Sequence, residues 1–170
     1  MIGDLTRGGL ICALFVLGVA QAEETDVYGL WSGGDSLLSI EPLLDGGLSM
    51  TIVALKDAVY RPDEDLGVPG ESRRDDRNPD ASLRERPLLG LELLSGYRFE
   101  KGRWEGRLYD PESGNTYSSR MERDGPRLKL RGYVGVPMLG RTRYFEPVAQ
   151  CDGKVRELLA ASRAELVMCD

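Results

Sequence analysis

Leu128-Lys129-Leu130-Arg131-Gly132-Tyr133-Val134 sets apolar residues two apart with charges between them. A strand turns successive side chains to opposite faces, so this stretch reads as a half-buried β-strand with one face on a core. The same pattern recurs on both sides of it. Trp104–Tyr109 and Asn115–Glu122 flank Asp110-Pro111-Glu112-Ser113-Gly114, where proline fixes φ at a turn position. Asp124-Gly125-Pro126 leads into Arg127–Val134, and Pro137–Gly140 leads into Arg141–Pro147. Upstream, Val27–Trp31 predicts a first strand. Leu37–Glu41 and Leu48–Leu55 predict a hairpin around Leu44-Asp45-Gly46-Gly47, and Leu88–Leu94 and Gly96–Glu100 predict two more strands.

Counted this way there are about eight or nine strands in sequential hairpins, which predicts an all-β, antiparallel, up-and-down barrel. Closing such a sheet removes its unpaired edges. With about eight strands, the interior is either filled by side chains or wide enough for one small ligand.

The chain ends carry separate signals. Leu10 to Ala20 is an apolar run that follows Arg7 and closes on Ala20-Gln21-Ala22, the small-x-small pattern of a signal-peptidase site. The run falls short of the roughly 20 residues a membrane span needs, so residues 1–22 are expected to be a cleaved export signal. The location that follows is the bacterial periplasm or the exterior. Cys12 goes with the leader, leaving Cys151 and Cys169, an even pair suited to a disulfide in an oxidising compartment. Asp152 is a candidate N-cap, and Val155, Leu158, Leu159, Ser162 and Leu166 share one helical face. An unbroken helix over 153–168 would hold the cysteines roughly 25 Å apart, whereas a disulfide tolerates about 7 Å between Cα atoms. Either the helix stops near Ala161 and the chain doubles back, or there is no bridge.

Three units result: the leader at 1–22, a barrel at 23–150 with a charged insertion at 56–75, and a helical tail at 151–170. The net charge is −6 and the chain has no histidine. An acidic chain is a poor binder of nucleic acid and of surfaces rich in acidic lipid head groups. Without imidazole there is no Ser-His-Asp or Cys-His nucleophile and no histidine-based zinc site. No phosphate-binding or dinucleotide-binding glycine pattern is present, and no carboxylate pair stands out for acid–base work. The expectation is a non-enzyme without a cofactor and without a membrane span once the leader is gone.

The segment from Lys56 to Arg86 is dense in charge and nearly devoid of apolar residues. Its first part, to about Arg74, reads as a solvated flexible insertion. Asp76-Arg77-Asn78-Pro79-Asp80 has oxygens at alternate positions, as a calcium loop does. However, Ala81 and Pro87 stand where such a loop needs Gly and Glu, so an Asx turn is the simpler reading. Arg84-Glu85-Arg86-Pro87 sets two guanidiniums beside several carboxylates. These either pin the loop to the barrel rim or face an anionic ligand.

Tyr28-Gly29-Leu30-Trp31 resembles the Gly-x-Trp first-strand motif of the calycins, the lipocalin-like barrels. A longer set resembles the bacterial exported family catalogued as domain of unknown function 2147. It comprises Asp76-x-Asn78-Pro79-Asp80, Arg84-x-Arg86-Pro87-Leu88-Leu89-Gly90, Trp104-x-Gly106, Tyr109-Asp110-Pro111-x-x-Gly114-x-x-Tyr117 and Leu130-Arg131-Gly132-Tyr133-Val134-Gly135. The likeness runs from about residue 27 to 147, departing at Tyr144-Phe145, where Thr-Trp would be expected. It implies a lipocalin-like barrel and a small hydrophobic or amphiphilic ligand, and it supplies no activity. The candidate ligand-binding residues are Trp31, Asp76, Asn78, Asp80, Arg84, Arg86, Tyr109, Asp110, Tyr117 and Arg131. The alternative is a cell-envelope interaction module with a filled barrel.

Overall fold

A computed structural model describes residues 23–169, so the expected leader at 1–22 lies outside the described residues. The chain forms eight strands: β1 (Gly29–Ser32), β2 (Ser36–Pro42), β3 (Leu48–Leu55), β4 (Leu94–Glu100), β5 (Arg103–Asp110), β6 (Asn115–Asp124), β7 (Arg127–Tyr133) and β8 (Arg141–Pro147). A single helix, α1 (Gly153–Ser162), follows them. Every pairing is antiparallel, and the sheet order is β3-β2-β1-β8-β7-β6-β5-β4. This is the up-and-down barrel that the alternation predicts.

The sheet curls until β3 and β4 meet, but those strands do not pair along their length. Closure comes from the residues just before β4. Gly90 N donates to Ile52 O at 2.8 Å, Ile52 N donates to Leu91 O at 3.2 Å, and Leu93 N donates to Met50 O at 2.8 Å. The expected strand Leu88–Leu94 is therefore corrected to a turn followed by a strap. Leu91 N folds back onto Leu88 O, and Gly90 sits at φ +78°, a conformation β-rich residues avoid. The wall is also thin between β1 and β8, which pair only at Trp31↔Pro147 and Ser32↔Glu146.

Two further expectations change. Val27 belongs to a 3-10 turn, Glu24–Val27, rather than to the first strand. Its carbonyl accepts the Trp31 indole N–H at 2.8 Å. The stretch up to Arg74 is solvent-exposed along most of its length, as expected, yet it is ordered around Tyr60, which is buried together with Ala58. Tyr60 N donates to Glu71 O, Gly70 N donates to Tyr60 O, and Val59 bridges Ser72. One buried aromatic is enough to organise a segment whose composition otherwise reads as solvent.

The tail takes the first of the two alternatives. Asp152 caps α1 through Val155 N, and the helix ends with Arg163 in the left-handed region at φ +54°, where Ala164 N returns to Leu159 O. The reversal brings Cys151 and Cys169 to 5.3 Å between Cα atoms, and they form a disulfide. Val155, Leu158 and Leu159 pack on Leu37 and Ala54, the outward-facing side of the β2–β3 hairpin.

Because the bridge spans 18 residues of sequence, it should contribute about 3 kcal/mol by loop closure. Urea unfolding of the Cys169→Ser variant should show that loss. An unchanged midpoint would mean that α1 is held by packing alone.

Candidate functional site

The two ends of the barrel differ in how the sequence fills them. At one end, the 3-10 turn Glu24–Val27 crosses the opening. Trp104 of β5 donates its indole N–H to Glu24 O at 3.0 Å, and Trp31 of β1 donates to Val27 O. Met50, Met121 and Leu128 pack between them with no exposed surface. Arg123 lies over the Trp31 ring, 4.8 Å from its centroid. A ligand-sized void would give its lining residues accessible area, and these residues have none. This end is a solid floor.

At the other end lie the β3–β4, β5–β6 and β7–β8 connections. Cross-strand partners share a face of the sheet. Leu130, in the core, stands opposite Arg143, and Gly132 stands opposite Arg141, so both arginines of β8 belong to the inner face. Leu108 pairs with Tyr117, and a Cβ on Gly132 would lie 3.7 Å from Tyr117 and 3.8 Å from Leu108. Leu108, Tyr117, Gly132, Arg141 and Arg143 thus line the inner face here. Leu108, Tyr117 and Gly132 are half-buried, and both arginines are exposed. Among the described residues, neither arginine has an ion pair or a side-chain hydrogen bond.

Beside this opening sits a polar node. Asp75 is fully buried. Its Oδ2 accepts from Arg86 Nε at 2.9 Å and from Asn78 Nδ2 at 2.8 Å, and Arg86 Nη2 completes the ion pair at 2.8 Å. Its Oδ1 accepts from the Tyr109 hydroxyl at 2.5 Å. The Arg86 guanidinium lies 5.6 Å from the Tyr109 ring centroid. Asn78 Oδ1 accepts the Asp80 amide, Asp80 accepts from Ser82, and Arg84 Nε donates to Asn78 O at 2.7 Å. Asx-type bonding thus accounts for the alternating oxygens. The loop then docks on the β5–β6 turn. Arg77 donates to Glu112 O, and Gly114, at φ +70°, leaves room for the Arg77 carbonyl, 2.0 Å from where a Cβ would stand.

The candidate residues therefore divide. Asn78, Arg86 and Tyr109 meet at Asp75 and line a cavity of about 260 Å³ with Pro79, Leu93 and Ser95. Asp76 accepts from the Tyr60 hydroxyl at 2.6 Å, and Asp110 holds its own turn through Glu112 N and Ser113. Arg131 points to the outer face, where it donates to Pro137 O, Met138 O and Thr142 Oγ1. Trp31 lies in the floor, away from the opening, and Tyr117 alone of the set lies on the inner face at the open end. Asp75, Arg141 and Arg143 were not singled out by sequence. A larger groove, about 560 Å³, runs outside the barrel between Gly33, Gly34, Tyr144 and the start of α1.

The node also perturbs its own groups. Burial, then the hydrogen bond to Asp75, pushes the Tyr109 phenol up to about 12. Burial and Asp76 raise Tyr60 in the same way, and the two bonds from Ser82 lower Asp80.

Residues 29–146 match the family described as "Uncharacterized protein conserved in bacteria (DUF2147)". The chain belongs to that family. Among solved structures, the chain is similar to protein HP1028 of Helicobacter pylori, described as belonging to the lipocalin family. The TM-score is 0.60 at 17% identity, over 80% of this chain and 97% of that one. The DUF2147 barrel here is therefore lipocalin-like in fold. No curated protein matches the chain.

The Tyr109 pKa has a consequence for stability. Its folded value lies above its unfolded one, so its contribution is whole below about pH 10 and is lost as pH rises toward about 12. Tyr109→Phe should cost about 1–2 kcal/mol at neutral pH and show a shallower loss of stability across that alkaline window. Urea unfolding at a series of pH values reads both, and parallel curves for the two proteins would contradict the assignment.

Proposed function

We propose that this protein is an exported binder of a small amphiphile carrying an anionic group, held at the loop-framed end of the barrel. Arg141 and Arg143 face the anion, while Leu108, Tyr117 and Gly132 face the apolar part. The carrying observation is Arg143, which shares the inner face with buried Leu130 yet is solvent-exposed and has no acidic partner among the described residues. A guanidinium so placed offers a fork of donors suited to a carboxylate or phosphate. Arg84, Arg86 and Arg131 are engaged within the fold, so the anion-binding role passes from them to the β8 pair. The solid floor limits how deep a ligand can reach, which favours a short apolar part. Asn78, Arg86 and Tyr109 border the opening and support its wall. The role is binding, not catalysis.

Export is supported by the Cys151–Cys169 bridge, which belongs in an oxidising compartment, and by the leader read in the sequence. Among the described residues, no helix is long and apolar enough to cross a membrane. A second reading draws on the packed floor: a barrel that needs no ligand and presents its β3–β4 connection to an envelope partner.

Isothermal titration with decanoate below its micellar concentration separates the two. The wild type should bind decanoate and not decylamine. An Arg141→Ala/Arg143→Ala variant should bind at least tenfold more weakly, about 1.4 kcal/mol, with an unchanged unfolding curve. Equal binding by the double variant, or none by the wild type, would remove the amphiphile reading.

A further inference from the structure

The β7–β8 connection, Val134-Gly135-Val136-Pro137-Met138-Leu139-Gly140, is the most apolar exposed segment among the described residues. Val134 is 72% exposed, Val136 53%, Met138 89% and Leu139 81%. Single exposed apolar residues are ordinary on protein surfaces, but four within six positions of one turn are not. Nor is the turn slack. Pro137–Leu139 forms a 3-10 turn, Leu139 N donates to Val136 O at 3.2 Å, and Gly140 N donates to Pro137 O at 3.1 Å. From below, Arg131 donates to Pro137 O at 2.7 Å and to Met138 O at 3.2 Å. The backbone carbonyls are thus drawn toward the barrel while the apolar side chains project away from it. Ordering entropy is already spent, so burying these tips against a partner costs little further freedom.

We infer that this turn docks the barrel on a phospholipid bilayer, with Met138 and Leu139 entering the interface and Arg141 and Arg143 resting on lipid phosphates. One feature selects a lipid surface. The next residues along the chain are two exposed arginines without partners, which matches an apolar tip collared by cations. The net charge of −6 weighs against a surface made of anionic lipid alone, but it is carried by residues spread over the whole barrel. Charges more than about 8 Å from the contact are largely screened. The surface proposed is therefore a mixed one in which zwitterionic lipid predominates. The inference shares Arg141 and Arg143 with the amphiphile site and otherwise stands on the turn alone.

The test is co-sedimentation of the full mature chain with vesicles of phosphatidylethanolamine containing a minority of phosphatidylglycerol. The wild type should sediment with the vesicles. Met138→Glu/Leu139→Glu should bind at least tenfold more weakly, and Arg141→Ala/Arg143→Ala should weaken binding and flatten its salt dependence. Leu43→Glu/Leu44→Glu, on the exposed β2–β3 turn at the opposite end, should bind like the wild type. Met138 and Leu139 touch no core, so unfolding curves should be unchanged. Decanoate titration of Met138→Glu/Leu139→Glu without vesicles should match the wild type, which keeps this result separate from the amphiphile reading. No vesicle binding by the wild type, or equal binding by Met138→Glu/Leu139→Glu, would overturn the inference. So would a wild-type dimer in sedimentation velocity that Met138→Glu/Leu139→Glu abolishes, since the turn would then be covered by a second copy.

Discussion

The Asp75 carboxylate has no contact with solvent, and the upper half of the barrel depends on how it is satisfied. A buried carboxylate left bare is costly, and removing one partner of a buried pair typically costs about 3–5 kcal/mol. Here two nitrogens of Arg86, the Asn78 amide and the Tyr109 hydroxyl answer it from separate stretches of chain. Those bonds fix the connection between β3 and β4 against β5. Leu88 N, two residues past Arg86, donates to Arg73 O, and the chain then reaches the Gly90–Leu93 strap that closes the barrel. The polar node thus anchors the strap whose backbone bonds to β3 close the sheet. The exposed side of Arg86 moderates its cost without removing the dependence, because Asp75 itself has no water to fall back on.

The two ends of the barrel differ in packing, and the proposed recognition site lies at the less packed one. Tryptophans, methionines and leucines fill the floor, and the short 3-10 turn covers it through two indole hydrogen bonds. Closely packed interiors of this kind resist change of volume. The open end is built of smaller or partly exposed residues on the inner face, with Gly132 leaving space beside Tyr117 and Leu108. The apolar β7–β8 turn rises from the same end. An amphiphile site and a lipid-facing turn placed together would let the barrel meet its ligand where amphiphiles reside.

Much of this was legible in the sequence because period-two alternation survives wherever one strand face is buried. The β5–β6 and β6–β7 hairpins follow it closely. It failed where a local event overrode it. Gly90 at positive φ turned the apolar run Leu88–Leu94 into a strap, and Tyr60 buried itself inside a segment that composition assigns to solvent. The end of α1 had no glycine to announce it, because Arg163 takes the left-handed position itself. At the site, Asp75 and Asp76 are neighbours of one chemistry, and only the fold decides that the first is buried and the second meets Tyr60. Arg141-Thr142-Arg143 alternates as a solvent face would. Its inward orientation appears only through register with Gly132 and Leu130.

The central claim is that the floor is solid and the ligand enters from the loop-framed end alone. Amide and indole NMR spectra recorded through a decanoate titration test it directly. Shifts confined to Leu108, Tyr117, Gly132, Arg141 and Arg143, with the Trp31 and Trp104 indole signals unmoved, are the predicted result. Saturable movement of those two indole signals would place the ligand in the floor and contradict the account.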